Sequence, residues 1–347
     1  MHTIPSIQLL RAVAALSVTL CHFSLLRLYL FGLQNEPLPL HFLASGVDLF
    51  FVISGFIIVH SSVGLFDQSG GWRIFLMRRL ARITPLYWAT TAIAIPLMVL
   101  PWDVPQLLGS LLFIPYRTSS GITPLHGVGW TLNFEMFFYV LFTFVVATGS
   151  RAAIPALCVF LCLIVAAGKA FTPTTTVLLF WSDPIALEFA GGMLLALTFQ
   201  KRVTLPASVR VCVIVLGALA VVFYTPGTIP SGYRLLFWGV PAVAIVAGTV
   251  LGPQPTFGCL TKLIMMLGDA SFALYLVHPL VAAFILRAWG TGIEQYGWER
   301  VFGFGYVFSI AISMLSYYSL ERPLTRQITQ WSGLRVRRVS SVAGPAS

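Results

Sequence analysis

The sequence predicts an all-α fold: a polytopic integral membrane helix bundle of about ten transmembrane helices, with both termini in the cytoplasm. Three observations predict it. Hydrophobic residues make up 58% of the 347-residue chain and charged residues only 9%, against about 25% charged in soluble domains. Apolar runs long enough to cross a bilayer, roughly 20 residues each, recur through the whole chain. Lys and Arg are shared unevenly among the segments between those runs. A mean hydropathy of +0.89 goes with this reading, and no stretch has the composition of a separate soluble domain. The net charge of +10 would suit nucleic acid in a soluble protein. In a membrane protein the placement of Lys and Arg reports topology first, so membrane lipid is the expected partner and nucleic acid is not.

The first candidate span, 7–28, follows MHTIPSIQLLRA, which lacks an early basic run and a small-residue cleavage site. It reads as a retained span rather than a removed signal peptide. The second, 42–62, contains GVDLFFVISGF, and the third, 83–101, follows the arginine-rich run WRIFLMRRLARITPLYW. Val104 to Tyr116 is apolar but interrupted by Pro105 and Pro115, which suits an interfacial or re-entrant piece. Span four is 132–148; spans five and six, 152–168 and 183–199, flank TTTVLLFW. Spans seven to ten are 209–224, 234–251, 268–288 and 301–320. Glu321-Arg322-Pro323 closes the last as a cap and stop. The transmembrane domain is set at 1–325, and 326–347 is read as a basic, disordered cytoplasmic tail.

Counting cations tests the topology. With a cytoplasmic N-terminus, inside segments hold 14 Lys and Arg, outside segments hold 6 (Arg27, Arg117, Lys169, Arg234, Arg287 and Arg300), and Arg11 lies in the first span. That bias favours both termini inside and an even number of spans. The cysteines at 21, 158, 162, 212 and 259 are scattered, mostly in apolar runs, and suggest neither a disulfide framework nor a metal site.

Arg11 and His22 are the first residues with chemistry to offer. They lie eleven residues apart, three helical turns plus roughly 20°, so one face of the first helix carries both. Along the axis they are about 16 Å apart. Ionisable groups inside a span are costly, at least ~2.5 kcal/mol each near the centre. A snorkelling Arg and a packed His would explain the pair as well as a site would. Asp48, near the outer end of span two, is expected at a depth similar to His22, where a carboxylate can orient an imidazole. A carboxylate at a helix N-terminus is the plain alternative. Arg79 and Arg82 sit one turn apart and can converge on one anion, and guanidinium forks suit phosphate. With Arg11 they make a candidate cytoplasmic phosphate site. Glu135, in GWTLNFEMFFY, falls on the outer side with His22 and Asp48, where a carboxylate must be paired or face water. His126 reads as a loop residue. Trp130, Tyr275 and His278 are candidate substrate-binding residues. Tyr275 and His278 either line the same cavity or make an interhelical hydrogen bond at a proline kink.

The chain resembles the membrane acyltransferase-3 family of bacterial inner-membrane O-acyltransferases. The resemblance runs from Ile7 to about Pro323. It is carried by Arg11 with His22, GVDLFFVISGF, RRLARITPLYW, WTLNFEMFFY and SFALYLVHP, each weak alone and specific together. The wording WTLNFEMFFY narrows it towards members that modify a secreted polysaccharide or its lipid-linked repeat unit. The resemblance implies an acyl-CoA donor, usually acetyl-CoA, on the cytoplasmic side, and a sugar hydroxyl of a carbohydrate or lipid-linked oligosaccharide as acceptor. It implies that Arg11 and His22 are essential and that Arg79 and Arg82 form the family's Arg-x-x-Arg element; the residues themselves suggest no metal site. On this expectation CoA phosphates dock on the arginines and His22 acts as base or acyl carrier, oriented by Asp48 or Glu135. A transporter or flippase of a lipid-linked glycan is the rival class, because intramembrane charges also mark substrate pathways.

Overall fold

The computed structural model describes residues 4–30, 40–98, 102–119, 121–223, 233–255, 258–289 and 297–331. Helix dominates the described residues; the exception is a two-stranded ribbon, β1 (Arg117–Thr118) against β2 (Gly121–Ile122). The long helices are α1 (Pro5–Leu30), α2 (Gly46–Ser62), α3 (Gly71–Met98), α5 (Trp130–Ala147) and α6 (Ala153–Phe171). They continue with α8 (Ala186–Gln200), α9 (Ala207–Phe223), α10 (Val240–Val250), α12 (Ser271–Trp289) and α13 (Trp298–Ser316). Shorter pieces are α4 (Val104–Leu111), α7 (Thr176–Trp181), α11 (Thr261–Asp269) and α14 (Arg322–Trp331). Single π-helical turns lead into α10 (Leu235–Gly239) and α14 (Tyr317–Glu321).

Among the described residues, six helical stretches are long and apolar enough to cross a membrane: Pro5–Leu26, His41–Leu65, Gly127–Ala147, Ala153–Phe171, Ser271–Ala288 and Trp298–Gln330. Three shorter apolar helices accompany them, Ala186–Gln200, Ala207–Phe223 and Leu235–Val250. The outer surface is greasy where lipid would touch it: Val159 and Leu163 on α6, Leu216 and Leu219 on α9, and Val307 and Leu315 on α13 are all exposed.

Two departures from the sequence reading matter. Helix α3 begins at Gly71, twelve residues before the predicted third span, so Arg73, Arg78, Arg79 and Arg82 stand on the helix itself rather than in a connection. Its length is tolerated despite Pro85 and Pro96, because neighbouring helices can re-satisfy freed backbone groups within a membrane bundle. At the other end the chain is helical through Trp331, past the boundary placed at 325. The rest of the expected tail, from 332 on, lies outside the described residues. Val104–Tyr116 forms α4, capped by Asp103, whose Oδ1 accepts from Gln106 N at 2.7 Å, and then a turn into the ribbon.

Helix α2 sits at the centre and packs most extensively on α8. The approach is so close that a Cβ on Gly55 would run into the Phe189 carbonyl, and one on Gly192 into the Val52 carbonyl. Small residues at such crossings are how membrane helices gain packing without a hydrophobic drive. On its other side α2 meets α1, with Gly46 against Ala14 and Val18, and α1 in turn packs on α11 and α12. The face of α1 holding Arg11, Ala14, Ala15 and Val18 is therefore buried in the bundle.

Candidate active site

Arg11, Arg79 and Arg82 converge, as their spacing anticipates. They line one internal cavity of about 80 Å³ together with Ser54, Glu135, Tyr139, Ser271 and Tyr275. Each guanidinium is held. Arg11 Nη1 donates to Gln8 Oε1 at 3.3 Å, and Gln8 Nε2 donates to Asp269 Oδ1 at 2.9 Å. Arg79 donates to the Ser61 hydroxyl and lies over the rings of Phe75 and Tyr139, 5.6 Å from each centroid. Arg82 feels the carboxylates of Glu321 and Glu135. Arg79 and Arg82 also line a second cavity of about 340 Å³, with Arg78, Ser61, Thr325 and Thr329. The two arginines thus stand between an inner chamber and an outer mouth.

Glu135 belongs to this arginine layer rather than to the layer of His22. Its Oε1 accepts from Tyr139 and from Ser54 Oγ, the latter at 3.3 Å. The cavity continues along α12 to Tyr275, whose hydroxyl donates to the Val128 carbonyl and accepts from Thr131 Oγ1, both at 3.0 Å. There the lining ends.

Beyond it stand two imidazoles. The ring of His278 is 6.1 Å from Tyr275 and 4.9 Å from His22, centroid to centroid. His22 Nδ1 faces the Val18 carbonyl at 2.9 Å, and His278 Nδ1 faces the Leu274 carbonyl at 2.9 Å. A carbonyl can only accept, so in each ring Nδ1 carries the hydrogen and Nε2 keeps a lone pair. In His278 that Nε2 is buried and without a hydrogen-bond partner. Backbone, not a carboxylate, therefore fixes the orientation of His22. Both Asp48 oxygens are engaged by Arg234, and Glu135 Oε1 by Tyr139 and Ser54.

Asp48 has another partner altogether. Fully buried, it forms a two-point ion pair with Arg234, at 3.1 Å from Nε and 2.9 Å from Nη2. Arg234 is stacked between the rings of Trp130 and Trp238, at 5.9 and 5.1 Å. Glu188 joins the pair from α8. The physical reason is topological: the turn before α10 brings a cation to the start of α2 from 186 residues away. Sequence reasoning missed Arg234 and Glu188, and counted Arg234 only as an outside cation. It also took Glu321 for a helix stop. Glu321 is buried in a π-helical turn, with its charge directed at Arg82 and Arg11. An acid at the end of an apolar run, directly before Arg322, was the available signal. His126 does lie in the loop before α5, but it is fully buried there, donates from Nε2 to the Leu276 carbonyl at 2.8 Å, and stacks on Tyr87. Of the candidate substrate-binding residues, Tyr275 ends the arginine cavity, His278 pairs with His22, and Trp130 lies apart, against Arg234. Among the described residues no three His, Cys, Asp or Glu side chains gather as a metal set.

A helical bundle with membrane-spanning segments and a buried cluster of guanidiniums behind a pair of imidazoles is the setting of a membrane-embedded transferase. The chain belongs to the acyltransferase-3 family: a family model described as an acyltransferase domain matches residues 4–318. It is 32% identical to the exopolysaccharide production protein ExoZ of Rhizobium meliloti (strain 1021) over 320 residues, covering 88% of this chain and 95% of that protein. It is 26% identical to the acyltransferase MdmB of Streptomyces mycarofaciens over 387 residues, covering 99% of this chain and 96% of the relative. No solved structure matches it.

Proposed function

We propose that the chain is an inner-membrane O-acyltransferase that moves an acyl group, acetyl in the first instance, from cytoplasmic acyl-CoA to a sugar hydroxyl of an exopolysaccharide or its lipid-linked precursor. The observation that carries this reading is the double exposure of Arg79 and Arg82, which face both the outer mouth and the inner chamber. A donor with phosphates at one end and a thioester at the other needs cations at an entrance and a passage beyond them. The CoA phosphates would dock on Arg78, Arg79 and Arg82 beside Ser61, with guanidinium forks matching phosphate oxygens. The pantetheine arm would then run past Glu135 and Arg11 towards Tyr275, bringing the thioester to the two histidines.

There both His22 and His278 keep a lone pair on Nε2, and His22 is the one we assign as base. It takes the proton of the sugar hydroxyl as that oxygen attacks the thioester carbonyl, the C–S bond breaks, and the CoA sulfur leaves as thiolate and is then protonated. If His22 is a carrier, Nε2 attacks the thioester carbonyl first, the C–S bond breaks and the CoA thiolate leaves; the sugar oxygen then attacks the acyl-imidazole carbonyl, the C–N bond breaks, and the hydroxyl proton passes to the thiolate. Trapping a label on His22 with donor alone separates the two. This reading includes a topology with both ends in the cytoplasm, which would put Arg79 and Arg82 at the inner surface, and the name of the 32% identical relative supports a secreted polysaccharide as the target.

The test compares surface polysaccharide from cells carrying the wild-type protein, His22→Ala, or no protein. Ester-linked acyl groups are expected only with the wild type. Equal acylation in all three would overturn the enzyme reading for that glycan.

A further inference from the structure

A third cavity, about 450 Å³, lies at the opposite end of α2 from the arginine mouth. Asp48, whose ion pair forms its floor, and Ser61, which holds Arg79, are thirteen residues apart on α2, or about 20 Å along the axis. Trp130, Phe134 and Phe180 wall the cavity, Arg234 and Glu188 supply its deep polar groups, and Asp183 stands at its exposed rim. The rim also carries Lys169.

Glu188 is the telling residue. It is 1% exposed and sits beside Asp48 and Arg234, yet neither carboxyl oxygen meets a donor in hydrogen-bonding geometry. A buried acid left in this way costs stability unless something completes it. Arg234 has five N–H donors and Asp48 engages two of them. The cavity therefore presents an open acceptor and open donors side by side, backed by flat aromatic surface. Its lining balances two cations, Lys169 and Arg234, against two acids, Asp183 and Glu188. The arginine cavity has three guanidiniums to one carboxylate. A polyanion suits the arginine cavity and not this one. An uncharged pyranose suits the Glu188–Arg234 cavity: its C–H face packs on aromatic rings and its hydroxyls both donate and accept.

The rings that wall this cavity also connect it to the donor chamber. Phe51, which lines the arginine cavity, lies 6.2 Å from Trp130 and 5.8 Å from Phe134, centroid to centroid. The two chambers share one aromatic partition. We propose that the Glu188–Arg234–Trp130 cavity is the acceptor subsite and binds an uncharged glycosyl unit through the Glu188 carboxyl and Arg234. This rests on the acyl-transfer reading above for its role as acceptor site, but sugar binding can be measured without any transfer.

The test uses full-length protein in lipid nanodiscs, with neutral gluco- and galacto-oligosaccharides as probes and tryptophan fluorescence as the binding signal. Wild type, Glu188→Gln and Asp183→Asn are compared, together with Arg79→Ala. Saturable quenching by at least one neutral oligosaccharide is expected in the wild type and in Arg79→Ala, and a rise in Kd of tenfold or more in Glu188→Gln. Asp183→Asn, at the exposed rim, should raise Kd a few-fold and covers the case in which the buried change prevents folding. No saturable binding to the wild type, or equal Kd in all four proteins, overturns the proposal. Binding with this pattern but no acyl transfer to any probe would leave the subsite standing and count against the transfer reading instead.

Discussion

At the scale of single residues, the site is built from groups whose partners limit what they can do. His22 gives its Nδ1 hydrogen to the Val18 carbonyl, so its chemistry is confined to Nε2. His22→Gln, which offers an amide but no basic nitrogen, should abolish transfer while donor affinity is kept, as read by acetyl-CoA titration beside a transfer assay. Glu321 lies within electrostatic reach of Arg82 and Arg11, so under the proposed function it would compete with a donor phosphate for them. Its replacement, Glu321→Gln, should lower the KM for acyl-CoA several-fold and lower thermal stability without donor, since a carboxylate neighbour of two guanidiniums is lost. A raised KM would contradict that role. The arginine cluster was legible in the sequence because Arg79 and Arg82 share one helix and one turn, and Arg11 falls on the same face as His22. Glu135 was legible as an acid that must be paired or face water, but not as a member of the arginine layer. Its partner Tyr139 is one turn on along α5, yet Ser54 reaches it from α2, 81 positions away.

At the scale of elements, α2 is the beam from which both ends of the site hang, and its glycine crossing with α8 fixes the spacing. Gly55→Ala should destabilise by about 1–3 kcal/mol, the usual cost of overpacking, seen as a lower melting temperature in detergent. Unchanged stability would mean that the helices part easily. Asp48→Asn should also destabilise, by less than the ~3–5 kcal/mol of breaking a fully buried pair, because Arg234 keeps 31% of its side chain exposed. Periodicity and length gave away most of the helices; each of the ten apolar ranges contains one. What single-sequence reasoning could not supply was the pairing across them. Arg234 looks like a loop cation until the π-helical turn before α10 sets it on Asp48, and the start of α3 was lost because arginines on a helix lower its apparent hydropathy.

For the molecule as a whole, the polar groups form a path rather than a scatter: outer mouth, arginine chamber, Tyr275, histidine pair, with the Arg234 cavity behind the Phe51 partition. The proposed topology puts the 117–122 ribbon outside and Cys259 inside. In a variant with the other cysteines removed, an impermeant thiol reagent should label Ser119→Cys in intact cells and Cys259 only after permeabilisation. The reverse pattern would invert the bundle and move the phosphate site to the wrong side for cytoplasmic CoA.

One measurement bears most directly on the division of labour between guanidiniums and imidazole: single-turnover transfer from radiolabelled acetyl-CoA to a glycan isolated from the native host, by purified protein in nanodiscs. The wild type should move label to an alkali-sensitive sugar ester. His22→Ala should bind acetyl-CoA as tightly and form no ester, whereas Arg79→Ala with Arg82→Ala should lose donor binding. Ester formation at the wild-type rate by His22→Ala would contradict the central claim.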